Sequence, residues 1–202
     1  MIYIIDYGVG NLASIKNMLK HIGIKDVKIS SDKDEIDKAK KIILPGVGAF
    51  DNGMQHLKKY DLIEVLNKKA LVDKIPFLGI CLGMQLMTNG SEEGKEKGLG
   101  WFDADTKKIK LQKEFKVPHM GWNYVKAIKN KKDFLIRDIN YRFYFVHSYY
   151  VKSNDPNDVL FETNYGTSFH SAIQKNNIIG MQFHPEKSLR FGMDIFKQFV
   201  KI

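Results

Sequence analysis

The sequence predicts an α/β fold, a three-layer sandwich in which a mixed, mostly parallel central sheet carries helices on both faces and an antiparallel extension. Three observations point there. Over the first half of the 202 residues, short aliphatic runs alternate with segments of helical periodicity, the pattern of parallel strands joined by crossover helices. After Asn89 the runs become shorter strands with no long helical segment between them, which suits antiparallel pairing. Third, residues 76–86 pass from an apolar strand through a turn bracketed by Gly79 and Gly83 into an apolar helical pattern, with Cys81 at the apex.

Taken in order, residues 1–6 read as a buried strand, and Asn11 caps a helix whose apolar face is Leu12, Ile15, Leu19 and Ile22. Residues 27–29 form a second strand, 32–39 a short helix and 42–44 a third strand. Residues 55–73 read as helical on both sides of Tyr60 and Asp61, and the fourth strand leads into Cys81. Residues 91–98 are a charged, glycine-bearing loop. Short strands are expected around Trp101 and over residues 109–111, 124–127, 143–149, 159–163, 171–174 and 178–183. A helix over 188–201 closes the pattern, burying Leu189, Met193, Phe196 and Val200. No internal repeat, low-complexity segment or long linker divides the chain, so a single domain over 1–202 is expected.

Composition narrows the function classes. With 44% hydrophobic and 12% aromatic residues the chain reads as soluble and globular, and no apolar run approaches a membrane span. Met1 leads straight into a strand without a charged leader or cleavage site, and the sole cysteine forbids an internal disulfide, so a reducing, cytoplasmic setting is expected. The net charge of +9 raises nucleic acid as a partner, but the arginines that planar recognition favours number three, Arg137, Arg142 and Arg190, and the lysines are scattered. No nucleic-acid or membrane partner is expected.

The chemistry concentrates at three places. Small residues two positions either side of Cys81 let the backbone turn sharply enough to present one side chain to substrate, and the helix that follows favours the thiolate. A lone cysteine is more often a small buried hydrophobe, so it needs a base. His184-Pro185-Glu186 supplies one: it follows the strand over 178–183 and should emerge at the same sheet edge, with Pro185 keeping the backbone extended and Glu186 fixing the histidine tautomer. The turn Pro45-Gly46-Val47-Gly48-Ala49-Phe50 allows a peptide N–H to face outward toward a developing oxyanion. A rival signal is Gly8-Val9-Gly10-Asn11-Leu12-Ala13, which formally satisfies a dinucleotide fingerprint with Asp32 as ribose partner, and would make the chain a nicotinamide oxidoreductase.

These residues resemble the class I, or triad, glutamine amidotransferases along essentially the whole chain. The blocks that carry the resemblance are residues 5–12, 44–50, 79–85, 118–123 (Pro-His-Met-Gly-Trp-Asn), 144–149 (Tyr-Phe-Val-His-Ser-Tyr) and 182–188 (Gln-Phe-His-Pro-Glu-Lys-Ser). The elbow and His-Pro-Glu mark the superfamily. The opening block, the Gly-Val-Gly-Ala-Phe loop and Met-Gly-Trp-Asn point to the subfamily of glutaminase subunits of imidazole glycerol phosphate synthases.

The resemblance implies that Cys81 attacks the side-chain amide of glutamine, that His184 protonates the departing ammonia and then activates water, and that Glu186 orients His184. It implies an oxyanion hole from Leu82 and, after a peptide flip, Val47 or Gly48, and a glutamine pocket from Gln85 and the backbone of His147, Ser148 and Tyr149. It implies no metal and no organic cofactor. It further implies a heterodimer with a (β/α)8-barrel cyclase that receives ammonia, with Asn11, Trp122 and Lys187 near the interface. A related alternative keeps the glutaminase chemistry and changes the acceptor, as in surface-polysaccharide sugar amidotransferases. A non-catalytic scaffold is a third expectation, disfavoured by the intact Cys81, His184 and Glu186.

Overall fold

Strand β1 (Ile2–Ile5) is four aliphatic or aromatic residues buried on both faces, as a central parallel strand requires. The computed structural model describes residues 1–111, 115–128 and 141–202. After β1 come α1 (Leu12–His21), β2 (Val27–Ser30), α2 (Lys33–Ile36) and β3 (Lys41–Leu44). Helices α3 (Phe50–Lys59) and α4 (Ile63–Asn67) are separated at Asp61, whose φ of 54° breaks the helical path, and a π-helical turn, Lys68–Val72, completes the crossover. Strand β4 (Phe77–Ile80) and helix α5 (Leu82–Leu86) follow.

The second half is strand-rich: β5 (Ala104–Lys108), β6 (His119–Tyr124), β7 (Lys126–Ala127), β8 (Arg142–His147), β9 (Tyr149–Ser153), β10 (Val159–Asn164), β11 (Ser168–Lys175) and β12 (Ile178–Met181), then a 3-10 turn, Pro185–Lys187, and α6 (Leu189–Lys201). The main sheet runs β2-β1-β3-β4-β12-β11-β10-β7. Its β2, β1, β3, β4 and β12 are mutually parallel, and β11, β10 and β7 extend it antiparallel.

Successive residues of the central strands alternate between two cores. Tyr3, Ile5, Ile42, Leu44 and Phe77 face α3, α4 and α5 with Phe50, Met54, Leu57, Leu66, Leu82 and Met84. Ile2, Ile4, Ile43, Leu78 and Ile80 face α1 and α6 with Ile15, Leu19, Phe191, Ile195, Phe196 and Phe199. Each fully buried side chain of this size contributes roughly 1.5–3 kcal/mol of transfer free energy. The expected sandwich is present.

Four sequence expectations need correction. No strand forms at Trp101 or over 109–111; the strand lies between them as β5. Strands β5 and β9 pair with each other, as do β6 and β8, so these runs form two separate antiparallel ribbons rather than joining the main sheet. Helix α6 buries Phe191, Ile195, Phe196 and Phe199, while Leu189 is 65% exposed with a φ of 48°. Phenylalanine removes more apolar area from water than the rival leucine, methionine and valine stripe, and that sets the helix rotation. Finally, Pro185 opens a 3-10 turn instead of continuing an extended segment.

Candidate active site

Parallel strands β4 and β12 lie side by side, with Gly79 opposite Gly180 and Ile80 opposite Met181. Cys81 and the segment leading to His184 therefore leave the carboxyl edge of the sheet together, where open α/β sheets bind ligands. Cys81 has φ 54° and ψ −111°, a conformation uncommon for a side-chain-bearing residue, and its N–H donates to the Met181 carbonyl at 2.7 Å. Close packing around the turn holds the strain: a Cβ on Gly79 would meet the Gly83 carbonyl at 2.9 Å.

His184 is fixed by backbone and side chain at once. Its N–H donates to the Tyr144 carbonyl at 2.9 Å, Ser188 Oγ donates to the His184 carbonyl at 2.6 Å, and the Tyr144 N–H donates back to Ser188 Oγ at 3.0 Å. Nδ1 of His184 pairs with Glu186 Oε1 at 2.8 Å, both side chains being almost fully buried. Nε2 makes no hydrogen bond of normal geometry. Burial pulls the imidazole pKa down, but contacts with Cys81 and Glu186 outweigh it and raise it to about 10. The residues form a cysteine–imidazole–carboxylate series with the carboxylate behind the base.

A cleft of about 260 Å³ opens in front of this series, lined by Cys81, His184, Val47, Gly48, Leu82, Gln85, Glu93, Pro118 and residues 146–149. Leu82 opens α5, so its N–H has no partner within that helix. The loop before α3 is tied at both ends, by Tyr7 Oη donating to the Pro45 carbonyl at 2.6 Å and by the Phe50 N–H donating to Glu93 Oε2 at 2.8 Å. Burial, with the Cys81 charge adding to it, pushes the Tyr7 phenol up, so it acts as a neutral donor. Between the anchors Val47 is 44% exposed, and a Cβ added to Gly48, whose φ is 102°, would meet nothing within 4 Å. The middle of the loop has room to reorient a peptide plane.

Gln85 is buried, and Nε2 donates to the Tyr149 carbonyl and to Gln182 Oε1, each at 3.1 Å. Gln182 Nε2 in turn approaches Cys81 Sγ at 3.7 Å. Gln182 and Glu93 are two side chains of the cleft region that sequence reasoning misses. Gln182 adjoins the His-Pro-Glu motif, and its position two residues before the base is the available signal; Glu93 lies in the charged loop and gives none.

The remaining sequence candidates fall elsewhere. Asn11 caps α1, accepting from the Ser14 N–H at 3.4 Å. Trp122 and Lys187 both meet Tyr144, the indole edge-on at 6.4 Å and the ammonium 5.7 Å over the ring, outside the cleft. As for the dinucleotide fingerprint, Gly8 packs on His56, Gly10 packs on Pro45, and Asp32 caps α2 through the Glu35 N–H at 3.0 Å. That turn is filled by protein, and its acid is spent. Among the described residues no group of three or more histidine, cysteine or carboxylate side chains could hold a metal ion, and no helix is long and apolar enough to cross a membrane.

A cysteine at a strand-to-helix elbow with a histidine–carboxylate pair from the adjacent strand is the layout of a thiol-dependent amide hydrolase. The chain belongs to the class-I glutamine amidotransferase family, whose model, described as Glutamine amidotransferase class-I, matches residues 3–202. It is 58% identical over 203 residues to imidazole glycerol phosphate synthase subunit HisH 2 of Methanococcus maripaludis, covering 100% of this chain and 99% of the relative. It is 50% identical over 204 residues to the subunit of the same name in Pseudomonas aeruginosa, covering all of both chains. In fold it is similar to a solved glutamine amidotransferase (TM-score 0.74, 16% identity, covering 100% of this chain and 98% of the other). It is likewise similar to PurLQS from Thermotoga maritima (TM-score 0.69, 17% identity, 99% and 97%).

Proposed function

We propose that this chain is the glutaminase subunit of an imidazole glycerol phosphate synthase, hydrolysing glutamine to glutamate and ammonia and passing the ammonia to a cyclase subunit in histidine biosynthesis. The observation that carries the reading is Cys81, strained at the mouth of the cleft and coupled to the buried His184–Glu186 pair. The names of its full-length relatives support the choice of synthase.

In this reading Sγ of Cys81 attacks the side-chain amide carbon, and the carbonyl oxygen takes negative charge against the Leu82 N–H and a Val47 or Gly48 N–H turned into the cleft. His184 gives its proton to the leaving nitrogen, so ammonia departs and a glutamyl thioester remains. His184 then takes a proton from water, whose oxygen attacks the thioester; the C–S bond breaks, and glutamate leaves with Cys81 regenerated. Glu186 holds the imidazole at Nδ1 so that Nε2 serves both transfers. Gln85 and the backbone of His147, Ser148 and Tyr149 bind the glutamine, with the Glu93 carboxylate in the same cleft for its ammonium.

The cyclase partner, a (β/α)8 barrel in this proposal, docks where β6 exposes Met120 (61%), Trp122 (44%) and Tyr124 (55%) on one face, beside Lys187. Asn11 caps α1, the helix that packs beside the turn carrying Lys187. The whole chain acts as one amidotransferase domain in the cytoplasm, without metal or cofactor. The test is glutamate release from glutamine by the chain alone, with the cyclase, and with cyclase plus its ribotide ligand, each with a Cys81→Ala control. Cys81-dependent stimulation by that cyclase supports the assignment. Turnover indifferent to it moves the acceptor elsewhere, including to sugar-modifying synthases.

A further inference from the structure

The imidazoles of His119 and His147 take no part in the steps above, yet they form a buried pair beside them: His119 Nδ1 lies 3.0 Å from His147 Nε2, and the two residues are 2% and 5% exposed. The partners at either end fix where every proton sits. His147 Nδ1 lies 2.8 Å from the Tyr149 carbonyl, which only accepts, so Nδ1 carries the hydrogen. In a neutral ring Nε2 is then the acceptor, and His119 Nδ1–H must donate to it. That leaves His119 Nε2 as an acceptor, and it faces Asn123 Nδ2 at 3.3 Å, a donor whose other hydrogen goes to the Asn164 carbonyl at 2.9 Å. Only one assignment satisfies all four contacts.

The series does not stop at Tyr149. Its carbonyl also accepts from Gln85 Nε2, which reaches Gln182 Oε1, whose own Nε2 approaches Cys81 Sγ. Every donor meets an acceptor from the Asn164 carbonyl to the nucleophile. We propose that His119 and His147 are positioning residues for glutamine cleavage, a neutral imidazole pair locked in the Nδ1–H tautomer that sets the Tyr149 carbonyl and, through Gln85 and Gln182, the Cys81 sulfur.

The surroundings suit a neutral pair. His119 stacks on Tyr165 (4.0 Å between ring centres) and on Phe145 (4.9 Å), and Phe169 packs edge-on to both imidazoles. Burial lowers the His119 pKa to about 4 and the His147 pKa to about 3, in the second case against the hydrogen bond to the Tyr149 carbonyl and with repulsion from charge on His119 and His184. Replacing the His119 donor leaves His147 Nε2 as an unpaired buried acceptor, and the ring is then free to shift what it holds.

This inference rests on the glutaminase reading, and the experiment separates the two. In the full chain with its cyclase partner, His119→Phe is expected to lower kcat for glutamate release about tenfold with little change in KM, the scale of a slightly misplaced reacting group. Alkylation of Cys81 by iodoacetamide should slow in parallel. His119→Asn, whose amide N–H occupies the Nδ1 position, should restore both to within about threefold. His147→Phe removes the donor to the Tyr149 carbonyl itself, and it should also lower kcat and slow the alkylation.

Nitrogen-15 spectra of the labelled wild-type chain should show both rings neutral with hydrogen on Nδ1 at about pH 6. Finding Nε2–H or imidazolium in either ring overturns the inference. So does wild-type kcat and alkylation in folded His147→Phe, a test that remains if His119→Phe does not fold. If the wild-type complex releases no glutamate, the glutaminase reading fails, while the tautomers and alkylation rates still decide this one.

Discussion

Gly83 lies so close to Leu44 that a Cβ on the glycine would stand 1.9 Å from the leucine carbonyl oxygen. The contact joins the start of α5 to the end of β3, and so locks the Cys81 elbow against the strand that carries the Pro45–Phe50 loop. Gly83→Ala is expected to be among the most damaging single changes in the chain, costing about 3 kcal/mol or more because backbone and not a flexible side chain must give way. Chemical denaturation or the yield of soluble protein reads it directly.

Gly48 makes the opposite case. With open space around it and φ at 102°, Gly48→Ala meets no clash but occupies a strained conformation, a cost of about 1 kcal/mol. Stability should change little while glutamate release falls by about 10² or more, because the loop can no longer present an N–H to the oxyanion. Equal losses of Tm and turnover would point instead to a structural role.

The Cys81, His184 and Glu186 series predicts graded losses. Cys81→Ala and His184→Ala should each remove glutaminase activity by about 10⁴-fold or more, and the double variant should lose no more than either alone, since they act as a unit. Glu186→Gln keeps the size of the side chain but not the acceptor charge, and should cost between about 10² and 10⁴ in kcat. Activity of these variants with added ammonia, read at the cyclase, should be unaffected.

Stability should pass through a maximum near pH 6.5. His119 and His147 are held neutral in the fold by burial, at about 4 and about 3, while in the unfolded chain they titrate near 6.5. The unfolded state therefore binds more protons as pH falls below 6.5, and stability present above that value is lost on the way down toward 4 and 3. His184, raised to about 10, works in the other direction: its contribution is complete below about 6.5 and fades as pH rises toward 10. Each group contributes at most about 1.4 kcal/mol per pH unit. Urea midpoints from pH 4.5 to 9.5 measure both limbs, and His119→Asn should flatten the acid one.

Trp122→Ala should weaken the complex with the cyclase by about 1–3 kcal/mol, the range of an aromatic anchor. The indole is exposed and meets Tyr144 and Arg142 only at its edge and face, so the Tm of the isolated subunit should hardly move. Titration calorimetry against the cyclase, set beside thermal unfolding of the subunit alone, separates docking from folding.

The parts of the site that sequence makes legible are those set by local spacing from a strand. Cys81, Leu82, His184 and Glu186 follow their strands at fixed distances, and adjacency of β4 and β12 brings them together. Gln182 escapes because its meaning is a contact across 101 residues, with Cys81, and His119 because its partner His147 lies in another strand. Period-two patterning identifies most of the strands of the second half but not which strand pairs with which, so it does not separate the β5–β9 and β6–β8 ribbons from the main sheet. In α6 two apolar stripes overlap at Phe196, and only the packed sheet decides between them.

Strand β6 turns His119, Gly121 and Asn123 inward and Met120, Trp122 and Tyr124 outward, so its two faces answer to different masters. A slide of one residue along β8 would exchange them, driving an indole inward and an imidazole into solvent. Small lengthwise adjustments are therefore forbidden to this ribbon. A load placed on Trp122 therefore meets a strand whose register on β8 is fixed by what its other face buries, a lever with a fixed rather than a sliding fulcrum.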